Sequence, residues 1–210
     1  MWQYILIFHI PRQLIMKTSY VFLADGFEEI EAITVVDVLR RAGLTVKTVS
    51  ISSSLKVTGT HGVCVGADIL FDACSFGDAD WLICPGGMPG ATNLHDFDPL
   101  TGLLKKHAEE GGNLAAICAS PAVVFGQIGL LKGRKATCYP GFEELCKDAE
   151  VVDAAIVSSD NMVLGNGPAN SLKWSLAIVK AALGEQTSRK VANDMLLYPR
   201  TENDLDYTFG

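Results

Sequence analysis

The 210-residue sequence contains no apolar run long enough to cross a bilayer, which takes ~20 residues. The early stretch from Tyr4 to Ile10 is too short, and Met1–Met16 has neither the basic start nor the small-residue cleavage site of a secretory signal. Positive charge is scarce as well. Lys plus Arg number 17 against 24 Asp plus Glu, a formal charge of −7. The chain therefore lacks the electrostatic footprint of a nucleic-acid binder and has little attraction to anionic lipid, so neither nucleic acid nor membrane is an expected partner. Six cysteines are present (Cys64, Cys74, Cys84, Cys118, Cys138, Cys146), yet no pair has C-x-x-C spacing and no Cys/His cluster has zinc spacing. No metal is expected, and reduced thiols in a cytoplasmic protein fit better than a disulfide framework. The glycine loops G-x-x-x-x-G-K-[ST] and G-x-G-x-x-G are missing, and no cofactor is expected.

What is present is an ordinary globular composition, 49% hydrophobic and 20% charged. A chain of this length buries about 70% of its unfolded surface and needs no staple to fold. Met16-Lys17 before a strand pattern reads as a natural start. Residues 1–16 are then an extension from an upstream start codon or a loosely attached arm, 17–198 a single domain and 199–210 a tail. Along the domain, buried strand patterns at 19–24, 45–51, 81–84, 114–117 and 135–139 alternate with helical periodicity at 27–42, 99–110 and 119–127. A hairpin or a bent edge strand is expected over 56–70, two strands around a turn at 155–164, a short helix at 141–147, and helices at 169–183 and 188–196. Asp25 and Glu28 have the spacing of a capping box. This alternation predicts an α/β fold of flavodoxin-like, doubly wound type, a mostly parallel sheet with helices on both faces. In such sheets ligands bind at the carboxyl ends of the strands.

Three of those ends carry chemistry. In Leu114–Pro121 (LAAICASP) a buried strand runs into Cys118 with no loop before the next helix. A turn that sharp exposes its side chain at the top of the sheet, as a nucleophile elbow does. The small neighbours Ala116, Ala119 and Ser120 let it close. Backbone N–H groups at the helix start aim at the sulfur, which predicts a thiol with a lowered pKa. Cys84–Gly90 (CPGGMPG) begins at another strand end, and the N–H groups of Gly87 and Ala119 together make a candidate oxyanion hole. Glu28 and Glu29 read as first-turn acids that answer the helix dipole. Glu31, one turn further in among Ile30, Ala32 and Ile33, reads as a buried carboxyl with a raised pKa, suited to acid–base work beside a thiol.

Together the segments DGFEEIE (25–31), PGG (85–87) and AAICASP (115–121) resemble the ThiJ/PfpI superfamily, and within it the clade of the Parkinson's-disease-linked deglycase and its bacterial relatives. The similarity runs from about Lys17 to Leu197 and includes VDVLRRAG (36–43), GNGP (165–168) and LAIV (176–179). The resemblance implies a homodimer of flavodoxin-like domains. It makes Cys118 the reactive, oxidation-prone cysteine, Glu31 the protonated glutamate in contact with it, and Gly87 and Ala119 the backbone donors. It also implies cofactor-free glyoxalase or deglycase chemistry on small dicarbonyls or glycated proteins, linked to oxidative stress. The alternative is a redox-sensing or chaperone-like protein with an oxidisable cysteine and no turnover.

The sequence departs from the family pattern at several positions. The residue after the nucleophile is Ala119, not the His of the protease-like branch, which disfavours a peptidase. Tyr139 stands where human-like members place a His, with Asp37 as a conceivable partner for its hydroxyl. Asn166 replaces an anion-binding Arg. His61 falls where another basic residue is expected, as an accessory to its own site or a partner subunit's.

Overall fold

The computed structural model describes residues 17–197. The expected extension 1–16 and tail 199–210 lie outside the described residues. In chain order the elements are β1 (Thr18–Leu23), α1 (Glu29–Arg41), β2 (Thr45–Ser50), β3 (Lys56–Thr58), β4 (Cys64–Gly66), β5 (Ile69–Leu70), β6 (Ala79–Cys84), α2 (Gly90–His95), α3 (Asp98–Glu109), β7 (Asn113–Ile117), β8 (Lys135–Ala136), β9 (Glu150–Val151), β10 (Ile156–Ser159), β11 (Met162–Gly165), α4 (Ser171–Leu183) and α5 (Glu185–Asp194).

Seven strands form the central sheet in the order β10-β11-β7-β6-β1-β2-β5. Every pairing is parallel except that of β10 with β11. This is the doubly wound arrangement expected from the alternating pattern. The period-2 geometry of a strand divides the core cleanly. Val21 and Leu23 of β1 join Val35, Val38 and Leu39 of α1 and Trp174, Ile178 and Val179 of α4 on one face. Tyr20 and Phe22, from the same strand, join Leu100 and Leu104 of α3 with Val124 and Phe125 on the other. All six residues of β1 are buried, as a strand covered on both faces requires. Among the described residues no helix is long and apolar enough to cross a membrane.

Several local expectations are corrected. The strand placed at 135–139 is only Lys135–Ala136, and it pairs with β9 in a separate two-stranded sheet. Thr137 leaves that ladder to donate its hydroxyl to the Ala154 carbonyl at 2.6 Å, and Tyr139 turns to meet Cys118. The helix drawn from 119 to 127 is a single wide π-type stretch, Pro121–Gly126. Gly126 lies there against the Leu145 carbonyl, where a side chain would collide. The helix α2 occupies what reads as loop, because four of its six residues (Gly, Thr, Asn and His) are weak helix formers. Asp25 does not cap α1. Its Oδ1 accepts the Thr58 N–H at 2.8 Å, and Glu28 is the cap, its carboxylate accepting the Glu31 N–H at 2.8 Å. On α1, Ala32, Val35, Val38 and Leu39 are buried, whereas Ile30 and Ile33 stand exposed.

Candidate active site

The carboxyl ends of β1, β6 and β7 converge on one point. At the end of β7, Cys118 adopts φ +63°, a conformation uncommon for a residue with a Cβ and found where a strand turns abruptly. Two backbone bonds clamp the turn: Cys118 donates its N–H to the Gly165 carbonyl at 2.9 Å, and its own carbonyl accepts the Tyr139 N–H at 2.7 Å. Ser120, fully buried, donates its hydroxyl to the Pro85 carbonyl at 2.6 Å and so ties the elbow to the end of β6. Gly86 lies so close that a Cβ there would fall 2.6 Å from Cys118 Cβ and 2.9 Å from Glu31 Oε2. Only glycine permits that approach.

Glu31, from the first turn of α1, reaches into this junction and is completely buried. Its Oε2 accepts the Gly86 N–H at 2.7 Å, and the carboxyl sits beside the Cys118 side chain across Gly86. Its Oε1 is buried with no partner among the described groups. Burial, with the neighbouring Glu28 charge adding to it, raises Glu31 to about 7, against the opposing bonds from Gly86 and Cys118. The expectation of a raised carboxyl therefore holds. The thiol runs the other way. Burial first, then the neighbouring Glu31 carboxyl, push Cys118 up to about 12, although the backbone N–H groups of Gly87 and Ala119 pull it down. The sequence shows those donors but not the burial or the charge that outweigh them. Between those two values the carboxyl is ionised and the thiol is not.

The accessory residues divide. Tyr139 adjoins the elbow through its backbone, and its half-exposed ring meets Phe142 edge-on with centroids 6.4 Å apart. Asp37 does not pair with it: Oδ2 accepts from Arg41 Nε at 2.6 Å, an exposed pair one helical turn apart. His61, on the loop between β3 and β4, bonds Glu29 rather than Glu31 or Cys118, with Nδ1 2.8 Å from Oε2. That bond raises the imidazole. Burial works to raise Glu29, but its bonds from the His61 ring, the His61 N–H and the Val63 N–H hold it below the usual carboxylate range. Glu29 is thus a tether for the β3–β4 loop, not merely a dipole acid. No local signal announces this, because its partners lie some thirty residues away. Glu28, Glu29 and His61 form the one group of three metal-ligating side chains close enough to share an ion among the described residues. The Glu29 oxygens and Glu28 Oε2 already accept bonds there. A cavity of about 410 Å³ opens at Cys138, Glu143, Asp153 and Asn166. Another, of about 400 Å³, lies between α4 and α5 and includes none of the site residues.

The sequence and the fold also match known proteins. Residues 17–181 match the model of the DJ-1/PfpI family. Protein DJ-1 homolog B of Arabidopsis thaliana is 34% identical over 193 residues, covering 91% of this chain and 44% of that protein, so the chain spans less than half of that relative. A Thermococcus kodakarensis protein named Deglycase TK1284 is 33% identical over 160 residues, covering 75% of this chain and 94% of its own. The structure of oxidized Toxoplasma gondii DJ-1 superposes with a TM-score of 0.83 at 37% identity, covering 86% of this chain and 98% of that one.

Proposed function

The chain belongs to the DJ-1/PfpI family, and from that premise we propose that it is a cofactor-free, cysteine-dependent enzyme acting on small dicarbonyls such as methylglyoxal, or on their protein adducts. One observation carries the reading: a cysteine strained at φ +63° with a buried carboxyl beside it. A thiol held up to about 12 is not a free thiolate at neutral pH. With Glu31 near 7, however, an ionised carboxylate is available at the sulfur to take its proton as the sulfur adds to the aldehyde carbon. The new S–C bond converts the aldehyde oxygen to an oxyanion, and the N–H groups of Gly87 and Ala119 are the donors for it. Glu31 returns the thiol proton to that oxygen, giving the hemithioacetal, and as carboxylate then carries the C1 proton to C2 while the hydroxyl proton passes to the C2 oxygen, giving a thioester. Water releases lactate and restores the thiol. The relative named a deglycase supports this reaction class.

The oxidised state named for the Toxoplasma protein favours a second reading, in which Cys118 is a redox sensor whose sulfenic or sulfinic acid rests on the same donors. Lactate formation from methylglyoxal without added glutathione separates the two. Turnover by the wild type and none by Cys118→Ser supports the enzyme, and no turnover by either leaves the sensor.

A second copy of the chain is the proposed partner. Ile30, Ile33 and Val63 stand 58%, 47% and 53% exposed around the Glu29–His61 tether, more apolar surface than one helix turn and its adjoining loop normally leave wet. Sedimentation should show a dimer that Ile30→Lys dissociates. A monomeric wild type would refute it.

A further inference from the structure

Glu28 takes no part in the reaction above, yet it sits between two of the groups that do. It is 6% exposed, with an extended backbone (φ −86°, ψ 121°) where the chain enters α1. From there it makes two bonds in opposite directions. Its Oε2 accepts the Glu31 N–H at 2.8 Å, a buried bond. Its own N–H donates to the Gly86 carbonyl at 2.9 Å. That carbonyl and the Gly87 N–H belong to one planar peptide group, so the bond fixes the direction of the Gly87 N–H. A third bond, from the Gly86 N–H to Glu31 Oε2 at 2.7 Å, closes the ring. Glu28, Gly86 and Glu31 thus hold one another in turn. The fit is tight: a Cβ on Gly87 would fall 2.4 Å from the Glu28 nitrogen and 2.6 Å from the Gly26 carbonyl oxygen. Further along, the Gly26 carbonyl accepts the Gly90 N–H at 3.1 Å, and Asn93 Nδ2 donates to the Asp25 carbonyl at 2.8 Å. The 86–90 segment is therefore seated on the loop between β1 and α1. Capping alone does not call for a glutamate, since the short side chains of Ser, Asp, Asn and Thr are the preferred caps.

We propose that Glu28 is a positioning residue: by holding the Glu31 backbone and the Gly86–Gly87 peptide at once, it sets the spacing of the acid and the oxyanion donor about Cys118. The proposal rests on Cys118, Glu31 and Gly87 being the reacting groups of the dicarbonyl reaction. Glu28 acts through those neighbours and not on the substrate. Proton transfer and oxyanion binding both depend steeply on placement, and a shift of about 1 Å can cost ~10²-fold in rate. Two bonds of the ring remain when the carboxylate is removed, so the expected loss is smaller.

The test compares side chains of similar reach. Glu28→Met removes both oxygens and keeps the stem. Glu28→Gln keeps an oxygen for the Glu31 N–H. Methylglyoxal turnover is measured at about pH 8.5, above the value of about 7 for Glu31, so that placement and not ionisation is compared. Glu28→Met should lower kcat about tenfold with KM within about twofold of wild type. Glu28→Gln should restore kcat to at least about half the wild-type value. A second readout needs no turnover. Burial and the Glu31 carboxyl hold the Cys118 thiol up, and a slackened first turn of α1 relieves both. Limiting iodoacetamide should therefore alkylate Cys118 about threefold faster in Glu28→Met and at the wild-type rate in Glu28→Gln. Cys84, buried on the neighbouring strand, reports general opening, and its labelling should stay unchanged in both. A Met variant with a lowered melting temperature but wild-type kcat and Cys118 labelling overturns the proposal, because Glu28 would then be a helix cap and no more. A Gln variant as slow as the Met variant overturns it too, since charge and not the bond would be responsible. Cys84 labelling that rises together with that of Cys118 does the same. Glu28→Ala carries the same expectations if the Met variant does not fold. A wild type without methylglyoxal turnover strikes the dicarbonyl reading alone, and the labelling rates then decide the role of Glu28.

Discussion

Cys84 and Cys118 end adjacent parallel strands and lie at the same edge of the sheet, Cys84 facing Ala116 in register. Both are buried, at 0% and 8%. Around Cys84 only burial acts, and it drives the thiol far above the usual range. Around Cys118 burial acts with the same sign, but two N–H donors and a carboxyl meet the sulfur. The difference comes from the backbone. Cys84 is the last residue of a regular strand, in register with Ala116, whereas Cys118 sits at positive φ. That turn frees the Ala119 N–H, and the close approach of Gly86 brings Glu31 to the thiol. Burial alone silences a thiol. A strained turn and an acid partner make a buried thiol usable.

Breaking each side of that contrast should give opposite signatures. Cys118→Ser is expected to lose roughly 10³-fold or more in methylglyoxal turnover with little change in melting temperature. Cys84→Ser should keep turnover near wild type and cost about 1–3 kcal/mol of stability, because it buries a hydroxyl where no donor or acceptor waits. Parallel kinetics and thermal unfolding on the two variants check both. Equal turnover losses would show that the elbow confers nothing special.

The acid partner comes next. Glu31→Gln keeps the shape and the bond from Gly86 but cannot accept a proton, so turnover should fall by about 10²–10⁴-fold. The wild-type rate should rise with pH through about 7 as the base ionises, and the Gln variant should lack that limb. Stability should move the opposite way. Below its ordinary value of 4.5 the carboxyl is protonated in folded and unfolded chains alike. Between there and about 7 the unfolded chain has released the proton while the folded chain retains it, so stability falls as pH rises, by about 3 kcal/mol in all. Denaturant midpoints from pH 4 to 8 should slope downward relative to those of Glu31→Gln. Parallel curves would mean that Glu31 is not strained by its burial.

Much of this was legible in the chain. The run LAAI into Cys118 announces the elbow, because four apolar residues, no loop and small neighbours leave few other ways to turn. The alternation of strands and helices gives the sheet. What escaped reading depends on partners far away in sequence. Glu29 looks like a dipole acid until His61 and Val63 are seen bonded to it. The end of the 135–136 strand is set by Ala154 and Cys118, not by its own residues. The direction of the Cys118 shift depends on the depth at which Glu31 is buried, and no periodicity of α1 reports that, since Ile30 and Ile33 on either side of it face outward.

The smallest expected effect tests the link between the two strand ends. Ser120 follows the elbow by two residues, and Pro85 follows Cys84 directly. Their bond of 2.6 Å is buried on both sides, and the Pro85 carbonyl has no other described donor. In Ser120→Ala that carbonyl is left unpaired, at a cost of about 1–2 kcal/mol in unfolding free energy. The chemistry should suffer less. Ser120 touches neither the sulfur nor Glu31 through its hydroxyl, and Gly86 stays held by Glu31 Oε2 and by its own carbonyl, which accepts the Glu28 N–H at 2.9 Å. A loosened Pro85–Gly87 segment weakens only the aim of the Gly87 N–H, for which a threefold fall in kcat/KM, about 0.7 kcal/mol, is the expected scale. A loss approaching that of Glu31→Gln would place the Ser120 hydroxyl on the proton path. Unchanged stability would show that the ends of β6 and β7 are held together by the sheet alone, and that the elbow owes its position to its own turn.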